Sequence, residues 1–245
     1  MKRLFLALCA VAILAAATTS ATAKGLFKGS NPYFTAEQMP DMTQWLPAPP
    51  AFESEQFSFD KAQYAWGKQM RQDAARAGEA ISHASIDPRV ICSHFSEPFG
   101  VEITPENTPH IFRLIVDGME TANNITLKPK SHYNRTRPFI YFNETSLVPD
   151  KEAGLRNNGS YPSGHTVIGT TAALLLSEIN PEAANALIKV GYEYGQSRVI
   201  AGYHWQSDVT AARLGAAAAV AKLHSSKRFN KDMQAAKREF KRLSK

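Results

Sequence analysis

Cysteine is scarce in this chain: Cys9 and Cys92 are the two among 245 residues. Residues 1–23 read as a secretory leader, with Lys2 and Arg3 at the positive start, Leu4 to Ala17 as the apolar stretch and Ala21-Thr22-Ala23 as the cleavage site. Leu8 before Cys9 is too bulky for a lipobox, which argues against a lipid anchor. Cleavage leaves Cys92 alone, so an intramolecular disulfide is excluded even though the export route would allow one. Past the leader there is no run of about twenty apolar residues, which excludes a body built of membrane-spanning helices. A His-Glu-x-x-His zinc pattern and internal repeats are absent, and strand-like alternation is nearly so. With 44% hydrophobic and 20% charged residues, what remains suits one globular domain, residues 24–245, of helical pattern.

Charge is equally uneven. Residues 222–245 hold nine Lys or Arg against Asp232 and Glu239, so this tail carries +7 while residues 24–221 carry −3. The basic pI therefore describes one C-terminal helix and no groove for nucleic acid. Phe229, Met233, Ala236, Phe240 and Leu243 give that helix an apolar stripe, expected to pack on the body. Helical periodicity also predicts helices over 60–82, 105–123, 165–179, 181–194 and 204–223, while the Pro-rich opening to about Ser58 reads as an extended arm. The fold class expected is all-α, a single-domain helical bundle with an extended N-terminal arm.

Three short blocks carry chemistry: 130–138 (KSHYNRTRP), 159–166 (GSYPSGHT) and 197–208 (SRVIAGYHWQSD). They pool three cations, Lys130, Arg137 and Arg198, with a Ser163-Gly164 turn, His165, His204 and Asp208. Phosphoryl transfer needs that inventory: fixed donors grip the non-bridging oxygens, one group attacks phosphorus and another protonates the departing oxygen. Pro138 ends or bends its element, which would turn Arg137 toward a cavity. Ser163 and Gly164 precede an apolar run and should sit at a helix N-terminus, a ready anion site. His204 and Asp208 are four apart, a spacing at which side chains meet, so the carboxylate can fix the ring tautomer. Arg135 falls outside the pattern and is expected to be surface charge.

The spacing K-x6-RP, PSGH, SR-x5-H-x3-D resembles the signature of the type 2 phosphatidic acid phosphatase superfamily, which vanadium haloperoxidases share. The longer strings DKAQYAWG, GSYPSGHT and GYEYGQSRVIAGYHWQSD are similar to the bacterial class A non-specific acid phosphatases. The resemblance implies an all-helical fold and hydrolysis of small-molecule phosphate monoesters in the periplasm, without metal or other cofactor. It implies that Lys130, Arg137, Ser163, Gly164 and Arg198 hold the phosphate, His204 attacks, His165 is the acid and Asp208 orients His204. Inorganic phosphate or vanadate should inhibit, and copies should associate as a homo-oligomer. Relatives often carry a cysteine pair with one member just before GYHW, where this chain has Ala201, so the loop at 142–151 must be held otherwise.

Other readings use the same residues. An apyrase-like nucleoside di- or triphosphate hydrolase shares all three blocks, and Thr166 after PSGH leans toward the monoesterases. A vanadate-dependent haloperoxidase would bind vanadate at His204, but such enzymes are usually larger. A metallohydrolase built on His165, His204 and Asp208 would face three repelling cations. A non-catalytic phosphate-binding protein would gain nothing from a paired His-Asp and a second histidine.

Overall fold

The computed structural model describes residues 25–245, and the expected leader with Cys9 lies outside them. Helix α1 spans Glu55–Met70, α2 Ala74–Ser82, α3 Pro88–Phe99, α4 Pro109–Asn123, α5 Leu127–Tyr133 and α6 Pro138–Tyr141. Then come α7 (Glu152–Leu155), α8 (Gly164–Ile179), α9 (Ala184–Ile200), α10 (Gln206–Leu223) and α11 (Lys227–Leu243). No strand occurs among the described residues, so the fold is all-α as expected.

Differences from the expected elements have local causes. The predicted helix over 60–82 is two, because Asp73 caps α2 by accepting from Ala75 and Arg76 N–H and so interrupts the ladder. Helix α3 was not expected, although Asp87 at its cap, Pro88 at its first position and Gly100 (φ 85°) at its end mark both boundaries. Pro138 opens an element instead of ending one: α5 already stops at Asn134 in the left-handed region (φ 37°), and Arg137 caps α6, whose first residue is Pro138. Helix α9 runs to Ile200, past the expected end at 194, and so carries Ser197 and Arg198.

Helix α8 is the centre of the bundle and packs on α9, α10 and α4, with α11 laid over α4. Its sequence is apolar nearly all round, which is what a helix surrounded by others requires. Gly169 lets α9 come close, since a Cβ there would lie 2.5 Å from the Tyr194 side chain. Helix α11 buries Phe229, Met233 and Ala236 as expected, but the stripe stops early and Leu243 is exposed.

The arm is extended with short 3-10 turns at Ala36–Gln38 and Met42–Gln44, and it buries Phe27, Met39 and Met42. Polar groups of α4 hold it: Glu120 accepts from Leu26 and Phe27 N–H, Asp117 from Asn31 N–H and Thr121 Oγ1 from Tyr33 N–H. The loop at 142–151 is fastened by Leu147 N–H to the Ala201 carbonyl at 2.9 Å and by the Tyr203 hydroxyl to the Val148 carbonyl. Glu144 adds a link to α1 by accepting from Tyr64 and Lys68. Backbone pairing at Ala201 thus stands where relatives were expected to place a cysteine.

Candidate active site

Each block delivers its side chains from the end of an element. Lys130 sits on the last turn of α5 and Arg137 caps α6. Ser163 caps α8, accepting from Thr166 N–H and from the Thr166 hydroxyl at 2.9 Å. Arg198 lies near the end of α9, and His204 just before α10. One cavity of ≈ 350 Å³ gathers Lys130, Arg137, Gly164, His165, Arg198 and His204 on its wall. Ser163 and Asp208, both fully buried, are not on that wall. The Ser163 N–H donates to the Asp208 carbonyl, which joins the α8 and α10 starts.

The cations are pre-positioned by backbone oxygens. Arg137 donates through Nε to the Leu155 and Asn158 carbonyls and through Nη1 to Tyr203, while Lys130 Nζ donates to Gly159 at 2.8 Å. Arg198 lies over the Tyr203 ring at 4.5 Å, and its Nε and Nη1 have no partner. On a cavity wall shared with Lys130 and Arg137, buried guanidinium N–H groups left without acceptors mark a place built for an anion. Burial pulls Arg198 down to about 9 and Arg137 down to about 10, and it pulls Lys130 well below the ordinary lysine range with help from Arg137. A phosphate dianion would reverse that crowding.

His204 Nδ1 lies 3.3 Å from Asp208 Oδ2, and its Nε2 lies 3.1 Å from Arg137 Nη1. A guanidinium only donates, so Nε2 must accept and the proton is on Nδ1. That tautomer leaves a lone pair on Nε2 among the cations. Asp208 Oδ2 is itself fixed by the Trp205 N–H at 2.9 Å. His165 Nε2 is buried and without a partner in the same cavity. Burial first, then Arg198, holds His165 well below its ordinary pKa, and burial with Arg137 and Lys130 does the same to His204.

The sequence model of the PAP2 superfamily matches residues 114–231, the stretch that holds all three blocks. Over 100% of both chains, this one is 41% identical to the non-specific acid phosphatase of Providencia stuartii. It is 37% identical to that of Salmonella typhimurium, over 85% of this chain and 83% of the relative. The chain belongs to the bacterial non-specific acid phosphatases of the PAP2 superfamily. A crystal structure of a bacterial vanadium-dependent iodoperoxidase shares the fold, with TM-score 0.52 and 16% identity over 74% of this chain and 54% of the other.

One expectation is overturned at an unspecified position inside the first block. Arg135 is no surface charge: it is buried and ion-paired to Asp208 at 2.6 Å and Asp60 at 2.8 Å. The periodicity of α1 could have flagged Asp60, a carboxylate on the same face as Phe57 and Tyr64, but nothing local announces its partner. The cavity also takes Asn123, Lys151 and Asn158, which the motif spacing does not reach. Asn123 Oδ1 would lie 2.9 Å from a Cβ at Gly164, so glycine admits the α4 end to the site.

Proposed function

We propose that the chain is an exported acid phosphatase that hydrolyses phosphate monoesters in two steps without a metal, residues 1–23 being its leader and 24–245 its catalytic domain. The periplasm and a homo-oligomeric state are part of that proposal. One observation carries it: His204 Nε2 is oriented by Asp208 toward the cations, while His165 Nε2 is free in the same cavity. Lys130, Arg137, Arg198 and the Gly164 N–H hold the three non-bridging oxygens from the cavity wall, joined by the hydroxyl of Ser163, the residue before Gly164 and just off that wall. His204 Nε2 forms the N–P bond as the P–O ester bond breaks, and His165 gives its proton to the departing oxygen. Water then attacks phosphorus, its proton passes to His165, and the N–P bond breaks. The bound dianion opposes the cations that hold His165 neutral, so substrate readies the acid.

Among the described residues no three His, Cys, Asp or Glu side chains converge as metal ligands, and the resident cations serve the role a metal would have. The test is rapid quench with a phosphorus-labelled aryl monoester in the presence of a strong chelator. Label bound to His204, absent from His204→Ala and formed at an undiminished rate, is the expected result. Vanadate and inorganic phosphate should compete with substrate. Turnover without labelled enzyme, or a chelator loss restored by one divalent ion, would overturn the reading.

A further inference from the structure

Arg135 stands between two carboxylates from different helices. Its Nη1 donates to Asp208 Oδ1 at 2.6 Å and its Nη2 to Asp60 Oδ2 at 2.8 Å. Both carboxylate side chains are 0% exposed and the guanidinium side chain 3%. Ser207 ties the group to the start of α10: its N–H donates to Asp60 Oδ1 at 2.8 Å, and its hydroxyl donates to Asp60 Oδ2 while accepting from Arg135 Nη1 at 2.7 Å. Neither Asp60 nor Arg135 lines the cavity, and neither belongs to the set that grips the phosphate.

Three charges removed from water carry a heavy desolvation penalty, and apolar residues of equal size often serve stability as well or better. Their arrangement does have a consequence for His204. A lone Asp208–Arg135 pair would be neutral, and its weak field would do little for an imidazole that becomes cationic as its Nε2 bonds phosphorus. Asp60, on the other fork of the guanidinium, returns the group to a net charge of −1. The oxygens are divided as well: Asp208 Oδ1 is taken by Arg135, leaving Oδ2 for Trp205 N–H and His204 Nδ1.

We propose that Asp60 and Arg135 are positioning residues for His204, Arg135 locking Asp208 so that Oδ2 meets the ring and Asp60 cancelling the Arg135 charge that would otherwise mute Asp208. The proposal rests on His204 being the nucleophile. The other charges facing His204 are Arg137, Lys130 and Arg198 of the cage, with His165 beside Arg198; Tyr161, pushed up to about 12 and so neutral, faces Arg135 and Asp208. None of them changes in the variants below.

The experiment is a charge cycle: Asp60→Asn brings the group to zero, Arg135→Gln to −2, and the double variant back to −1. The readouts are kcat, KM and the acid-side midpoint of kcat/KM for an aryl phosphate, with melting temperature measured alongside. Less negative charge disfavours the His204 imidazolium, so Asp60→Asn should move the midpoint down by about half a unit or more. Arg135→Gln should move it up, and the double variant should return it toward the original. Asp60→Asn should cost kcat about 10- to 100-fold, the range for carboxylates behind metal-bound histidines, with KM changed less than about twofold. Should Arg135→Gln not fold, Arg135→Lys decides its share: the charge is kept and the fork lost, so kcat falls while the midpoint stays. A midpoint that does not move in Asp60→Asn while the melting temperature falls would make the network a scaffold only and overturn the proposal. His204→Ala is the control, because turnover retained there defeats the nucleophile assignment itself, whereas turnover abolished there with no shift in Asp60→Asn defeats this proposal alone.

Discussion

At the scale of single residues, the two cavity histidines differ in what holds them. His204 has a carboxylate on one nitrogen and an arginine on the other, whereas His165 Nε2 has no partner. A nucleophile must be aimed, and a proton donor must be free to reach the leaving oxygen. Replacing His165 by alanine should therefore be felt unequally. An alkyl phosphate, whose alkoxide needs a proton, should lose about a hundred- to ten-thousand-fold in kcat, and p-nitrophenyl phosphate far less. Steady-state rates on glycerol phosphate and the aryl ester check this, and equal losses would take the acid role from His165. Cys92 offers no comparable chemistry, since burial pushes its thiol up to about 12 and leaves it protonated.

At the scale of elements, the cage depends on where chain segments stop. Gly159 is the tightest example. A Cβ there would lie 2.5 Å from the Lys130 carbonyl oxygen and 3.0 Å from Asn134 Cα, and these backbone atoms cannot rotate away. The Gly159 carbonyl in turn accepts from Lys130 Nζ and Arg137 Nη2. Gly159→Ala should push the 155–160 loop outward and loosen both cations, raising KM by about tenfold or more with a smaller loss in kcat. Gly78→Ala is the comparison, because a Cβ on that α2 residue meets nothing within 4 Å and alanine favours the helix. Saturation curves for the pair test the argument, and equal KM values would contradict it.

At the scale of the whole molecule, the burial that builds the cage sets a limit in acid. Burial, with His94 and Arg76 next, lowers His83 to about 3, and His165, His204 and His94 are lowered as well. His83, His165 and His204, the buried ones, stay neutral in the folded chain below the pH of about 6.5 at which they take up a proton when unfolded, whereas half-exposed His94 adds little. Folding stability is thus full above that pH and falls as pH drops, by up to about 1.4 kcal/mol per pH unit for each group, until the folded value is reached. Urea unfolding at pH 7 and pH 4.5 should show the loss, and vanadate should reduce it by binding only the folded cage. His83→Gln should shrink the difference between the two pH values, even if it lowers stability at pH 7 by breaking the bond to Ser197 Oγ. An unchanged difference would show that His83 titrates alike in both states.

The sequence by itself determined the helical class and the three blocks, because helical periodicity and motif spacing are local and survive in a one-dimensional reading. It likewise set the ends on which the site is built: Pro138 after Arg137, Ser163 as a cap, and His204 four residues before Asp208. The boundary between α1 and α2 escaped a periodicity count because one capping carboxylate outweighs it, although the signal was present in Asp73. Tertiary structure alone decided the rest. Arg135 looked like solvated charge because its two partners, Asp60 and Asp208, lie 75 and 73 residues away in the chain. The same holds for the loop at 142–151, fastened to Ala201, and for Asn123, which meets Gly164 across two helices. Whether a charged side chain is buried depends on what the fold brings against it, and no local pattern encodes a partner that only packing supplies.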